Sequence, residues 1–201
     1  YLEDLNNLVK KSSNINSEII KLHNKILETH RSTKERLNYY NLIYDKIFSI
    51  KRPRSILDLA SGLNPFSFPY MKIRKLDYIA IELTDNYVIF LNKYFKFMKK
   101  FGLNGKAIRM DLLDIKELPK TDFCFIFKTL DSLETLKKDI TKELLNKINS
   151  NIIVVSFPTK TLSGKKLDKR RLVWFNKLID DYKNFEIENE IFYIIYKTKL
   201  Y

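Results

Sequence analysis

The 201-residue chain carries 37 Lys and Arg against 24 Asp and Glu, a formal charge of +13, and is 45% hydrophobic. That apolar share is ample for a sizeable core in one globular domain, no apolar run approaches the roughly 20 residues that span a bilayer, and the single cysteine, Cys124, rules out an internal disulfide or a multi-cysteine metal site and fits a cytoplasmic setting. The positive excess points to a polyanionic partner, with lysines kept for solubility as the competing explanation.

The opening "YLEDLNNLVKK" is neither a signal nor a transit peptide, and without an initiator Met the sequence reads as beginning inside a longer protein. Residues 15–28 place Ile15, Ile19, Leu22 and Ile26 at helical spacing. In "HRSTKERL" (30–37), Ser32 or Thr33 is set to cap a second helix, with Glu35 three residues after Ser32 as in a capping box. Leu37, Tyr40, Tyr44 and Ile47 mark one face of that helix. "RSILDLA" (54–60) and "LDYIAIEL" (76–83) read as strands, and 85–100 as a helix carrying Val88, Leu91 and Phe95. "GKAIRMD" (105–111) and "DFCFIFK" (122–128) are two more strands, the latter making Cys124 an inert core thiol. A helix over 132–147, a fifth strand "NIIVVSFP" (151–158) and a helix over 172–182 follow. "FEIENEIFYIIYKTK" (185–199) completes the chain as two antiparallel strands. Apolar strands alternating with helices predict an α/β fold, a mostly parallel seven-stranded sheet covered on both faces. The expected division is a short helical subdomain over 1–50 and a sheet domain over 51–201.

In such a sheet, ligands bind beyond the carboxyl ends of the strands. Three acids sit at successive strand ends: Asp58, Glu82 and Asp111. A carboxylate after the second strand can accept from ribose hydroxyls, and one after the third from an adenine amino group. In "SILDLASGLNP" (55–65), Gly62 lets the backbone turn tightly and approach a ligand beside the first strand. The stretch is not G-x-G-x-x-G, so it lacks the cradle that a dinucleotide pyrophosphate needs. S-adenosyl-L-methionine has no phosphate and requires only backbone approach and hydrogen bonding at its amino acid end. Basic residues concentrate in "KRPR" (51–54), "KIRK" (72–75), "KYFKFMKK" (93–100) and "KKLDKRR" (165–171), interleaved with apolar ones, which predicts a folded basic face rather than a disordered tail.

"HRSTKERL" (30–37), "ILDLASGLNP" (56–65), "IFKTLDSLE" (126–134), "SFPTKTLSGKK" (156–166) and "WF" (174–175) together resemble the aminoglycoside-resistance methyltransferases that modify a guanine at N7 in small-subunit ribosomal RNA. The resemblance covers nearly everything from His30 onward and implies a Rossmann-like class I S-adenosylmethionine-dependent methyltransferase. It departs from the family pattern at Ser61, where Cys is usual, at Glu82, where Asp is usual, and at "KLDKRR", which replaces a Gly-Met-Glu stretch. Only 29 residues precede His30, fewer than the family's helical extension, which helps dock on the ribosome.

The resemblance implies that His30, Arg36, Asp58, Ala60, Gly62, Asn64, Glu82, Asp111 and Leu112 surround S-adenosyl-L-methionine. Arg36 would face the carboxylate of the cofactor, and Asp58 would support its amino acid end. Lys128 ends an apolar strand, where a charge is costly unless it emerges at the ligand edge; with Glu134 it would hold the target guanine. Phe157 would stack on a base or lie in the core, and Lys160, Lys165, Lys166, Arg170 and Arg171 would meet phosphate. The implied partner is 16S ribosomal RNA in the 30S subunit, with no metal, no membrane and a monomeric state. A related methyltransferase with another RNA or a small molecule as substrate, and a non-catalytic RNA-binding relic, are the alternatives.

Overall fold

Five strands run parallel, β1 (Ser55–Leu59), β2 (Leu76–Glu82), β3 (Leu103–Arg109), β4 (Thr121–Phe127) and β5 (Ser150–Pro158). They belong to a seven-stranded sheet of order β3-β2-β1-β4-β5-β7-β6, in which β6 (Tyr182–Ile187) and β7 (Glu190–Tyr196) are antiparallel. This computed structural model describes residues 1–197 apart from Lys116 and Leu162. Thr198 and Lys199, which the sequence adds to the last strand, lie outside the described residues. The alternation of the strands sorts the core: Ile56, Phe123, Phe125 and Phe192 face one side, and Leu57, Cys124, Ile126 and Tyr193 the other.

The first side is covered by α1 (Leu2–Lys11), α2 (Ser17–Leu27), α4 (Tyr40–Ile47) and α6 (Asp85–Met98), with the short α3 (Arg31–Arg36) and α5 (Phe68–Met71) at its margins. Leu5, Ile19, Tyr44 and Ile47 from the first 50 residues share one continuous core with the sheet. The His23 ring meets the Ile19 carbonyl at 2.8 Å and the Tyr94 hydroxyl at 3.1 Å, tying α2 to α6. The second side is covered by α7 (Leu130–Leu136), α8 (Ile140–Lys147) and α9 (Val173–Asn176).

Three local expectations are corrected. The helix in "HRSTKERL" starts two residues earlier than a Ser32 cap requires: His30 is the N-cap residue of α3, Ser32 Oγ bonds the His30 ring, and Thr33 Oγ1 donates to the Leu27 and His30 carbonyls. Glu35, freed from a capping box, pairs with Arg31 and Lys128. The helix over 132–147 is two helices, broken where Asp139 adopts a left-handed φ of 64°. The helix over 172–182 shrinks to a 3₁₀ turn, Lys169–Leu172, and α9, because Tyr182 is already paired with Ile195 across β6 and β7. Cys124 lies fully buried, and desolvation lifts its thiol well above the ordinary range.

Candidate active site

The strand order reverses at β1, so the loops after β1 and β4 part and open a crevice at their carboxyl ends. Three residues there have left-handed backbone: Ala60 (φ 52°), Gly62 (φ 53°) and Lys128 (φ 55°). For Ala60 and Lys128 this costs about 1–2 kcal/mol each. Gly62 avoids that cost, and a Cβ there would point at the His30 ring, 3.7 Å away.

The crevice has two adjoining cavities of about 190 Å³ each, joined at Ala60 and Glu82. The first is polar, lined among others by His30, Arg36, Asp58, Gly62 and Phe127. The second is largely apolar, lined by Leu83, Met110, Leu112, Leu133 and Leu136, with Asp111 the carboxylate it adds. Glu82 stands on the boundary, where its Oε1 accepts from the Gly62 backbone N–H and, at 3.3 Å, from Ser61 Oγ. Asp111 is exposed and accepts the Leu113 N–H at 2.9 Å.

Asp58 is 1% exposed, yet it lines the polar cavity. Its Oδ2 accepts from the Tyr78 hydroxyl at 2.5 Å and the Asn64 amide at 3.0 Å. Burial pushes its pKa up to about 7 despite these bonds. Both direct donors are neutral, so the ionised carboxylate would gain from a cation brought into the cavity.

Beside it Arg36, Glu190, Lys128 and Glu35 form a charge cluster, which Arg31 joins at its exposed edge through Glu35. Arg36, 3% exposed, holds Glu190 through Nε at 2.9 Å and Nη2 at 2.8 Å. Lys128 Nζ lies 3.2 Å from the same Glu190 and 2.7 Å from Glu35. Burial works against the Arg36 charge, but the Glu190 carboxylate outweighs it and holds the guanidinium above its ordinary pKa. The Arg36 guanidinium also sits 4.8 Å over the Phe127 ring. The His30 imidazole is pulled below its usual pKa by burial and then by Arg36, with Glu82 opposing.

A ribosomal RNA methyltransferase (FmrO) family matches residues 17–179, most of the chain. The chain belongs to that family. A 16S rRNA (guanine(1405)-N(7))-methyltransferase of Serratia marcescens is 32% identical over 87% of this chain and 70% of its own length. One of Micromonospora rosea is 29% identical over 89% of this chain and 67% of its own length. The chain thus spans about two thirds of the length of the relatives it matches. The 16S rRNA methylase RmtB superposes with a TM-score of 0.75 at 26% identity, covering 98% of this chain and 74% of that one. The fold is therefore that of the class I methyltransferases.

Against this ribosomal RNA methyltransferase frame, the structure brings His30, Arg36, Asp58, Ala60, Gly62, Glu82, Asp111 and Leu112 to the rim or lining of one crevice. Asn64 does not reach it. It is 2% exposed and lies beneath, its amide donating to Asp58 and its carbonyl facing the Tyr40 and Tyr44 hydroxyls. Arg36 reaches the crevice with Nε and Nη2 already engaged by Glu190. Lys128 is also held by carboxylates of this chain rather than standing free for a base. Glu134 lines neither cavity: its oxygens accept the backbone N–H groups of Asp139 at 2.5 Å and Thr141 at 3.1 Å, capping α8. Burial opposes its charge, but the bonds from Thr141 and Asp139 prevail and hold its pKa low.

Phe157 is core, 0% exposed and packed against Phe175, Trp174 and Tyr193, because strand parity puts it with Ile153 and Val155. Arg171 is a brace, donating to Asp131 at 2.7 Å and the Pro158 carbonyl at 2.5 Å. Lys160, Lys165, Lys166 and Arg170 remain exposed in the segment after β5, with Arg170 paired to Asp168. Sequence reasoning missed Glu190, Tyr78 and, apart from Leu112, the apolar wall. The signal for Glu190 was its place as the last of three alternating glutamates, Glu186, Glu188 and Glu190, directly heading the apolar run "IFYIIY"; for Tyr78 it was the same strand parity that carries Asp58.

Among the described residues, no helix is long and apolar enough to cross a membrane, and no cluster of three or more His, Cys, Asp and Glu is placed to hold a metal.

Proposed function

We propose that this chain methylates N7 of guanine 1405 of 16S ribosomal RNA in the 30S subunit, using S-adenosyl-L-methionine and giving aminoglycoside resistance. The observation that carries the reading is the divided crevice: a polar half with a buried carboxylate lacking a directly bonded cation, and an apolar half edged by Asp111. Those halves fit the cofactor chemically. Asp58 would take its ammonium and the outer edge of Arg36 its carboxylate. Glu82 would accept from the ribose hydroxyls, and Asp111 from the adenine amino group between Leu83, Leu112 and Leu136.

When bound, the cofactor supplies an electrophilic methyl on a sulfonium. Guanine N7 offers an in-plane lone pair and loses no proton as the bond forms, so the chain needs no general base. Its contribution would be positioning and electrostatics. Lys128 lines neither cavity but shares Glu190 with Arg36, and would be the cation offered to the base, its left-handed backbone fixing where that side chain emerges. The cost of unstacking an embedded guanine, a few kcal/mol, would be met in part by phosphate contacts from Lys160, Lys165 and Lys166.

Incubating 30S subunits with the chain and cofactor, then treating the RNA with borohydride and aniline, tests this. Primer extension is expected to stop at guanine 1405. Label passing instead to free RNA or a small metabolite would favour a related methyltransferase with another substrate.

A further inference from the structure

A groove of about 590 Å³, larger than either half of the crevice, lies between α1 and α6. Val9 and Phe97 line it, and Lys10, Lys93, Lys96 and Lys100 converge on it, with Glu3 as the one carboxylate in its lining among the described residues. Lys93 and Lys96 share one face of α6 at i and i+3, and Lys100 lies in the 3₁₀ turn Lys99–Phe101 that continues the helix. Lys100 has a structural task, donating to the Val9 and Lys10 carbonyls at 3.0 Å each and so pinning α1 to α6. Lys10, Lys93 and Lys96 are exposed and make no ion pair among the described residues. Tyr87 of the same helix lines the polar cavity, and ten residues further on Phe97 lines the groove, about 15 Å along the axis at 1.5 Å per residue.

Lysines around an apolar lining with one aromatic face are what a looped-out nucleotide needs: cations for its flanking phosphates and a ring against its base. The apolar lining of the groove is Leu2, Val9 and Phe97 among the described residues, a cluster rather than the row that the i/i+3/i+4/i+7 anchors of an amphipathic peptide helix would need. We infer that this groove is a second RNA-docking site, holding backbone phosphates on Lys10, Lys93 and Lys96 and one unstacked base against Phe97, apart from the nucleotide that is methylated. This rests on the ribosomal RNA reading above.

The test uses the full chain and intact 30S subunits, comparing Lys93→Glu/Lys96→Glu and Phe97→Leu with wild type. The charge-reversed variant is expected to bind 30S subunits at least about tenfold more weakly. Its plot of log affinity against log salt should be shallower by about 1.4, two single-strand contacts at about 0.7 each. Phe97→Leu keeps the lining apolar and is expected to lose about tenfold in affinity at an unchanged salt slope. Calorimetric affinity for S-adenosyl-L-methionine and the melting temperature should hold in both. Thirty-S affinity and slope within twofold of wild type in both variants would overturn the inference, as would ultraviolet crosslinks from residues 93–100 to a ribosomal protein instead of 16S RNA. Methylation by wild type is read in parallel: its absence overturns the function assigned above, whereas normal methylation with insensitive variants sinks only the groove.

Discussion

The two halves of the crevice are built on opposite principles. In the polar half the charged side chains are already engaged within the chain: Asp58 by Tyr78 and Asn64, Arg36 by Glu190, and Glu82 by Ser61 and the Gly62 N–H. In the apolar half, Asp111 is exposed and held by one backbone N–H. A ligand group entering the first must join or displace a buried network, so changes there act on folding, protonation and binding together. A group entering the second meets a preformed apolar wall, so changes there should act on affinity alone.

Glu190→Ala would break this contrast most severely, leaving the Arg36 guanidinium buried and Lys128 without one of its two partners. Removing one member of a buried ion pair costs about 3–5 kcal/mol, which for a chain of this size lowers the melting temperature by about 10 °C. A thermal melt within about 2 °C of wild type would show that the cluster is solvated and that the halves differ less than their geometry states.

The next effect is on protonation. With its carboxyl raised to about 7 in the free protein, Asp58 must ionise to receive a cation, so binding of the cofactor should release a proton below that pH. Affinity is expected to fall up to about tenfold per unit as pH drops below 7, and to level off above it. Calorimetry across pH 5.5 to 8.5 measures this, and Asp58→Asn should flatten the profile. A wild-type profile already flat over that range would remove Asp58 from the binding step.

Asp111→Ala sharpens the contrast from the other side. Loss of one charge-accepting contact at an exposed rim is expected to weaken cofactor binding about tenfold, equivalent to about 1.4 kcal/mol, while the melting temperature moves by no more than about 2 °C. A large drop in stability would mean that Asp111 anchors the β3 loop and is not reserved for a ligand.

Much of this was readable from the chain. Apolar runs separated by helical spacing specify five parallel strands, and the acids at the ends of β1, β2 and β3 fall at the crevice because parallel strands present their carboxyl ends on one edge. Residues whose fate depends on long-range partners were not readable. Glu134 lies in a stretch that matches a family motif, but its carboxylate meets two N–H groups exposed only because the helix after it breaks at Asp139. Phe157 lies near the carboxyl end of the fifth strand, where a stacking residue could stand, yet its parity points it at Phe175 and Tyr193.

The sequence by itself determined the sheet, its covering helices and the edge on which a ligand must sit, since hydrophobic periodicity and strand direction are local properties written into neighbouring residues. Only the tertiary structure decided which charges are free to meet that ligand. Arg36 and Glu190 are 154 positions apart and come within 2.8 Å because α3 and the turn into β7 pack over the same strand ends, and no local pattern encodes a pairing made by that closure.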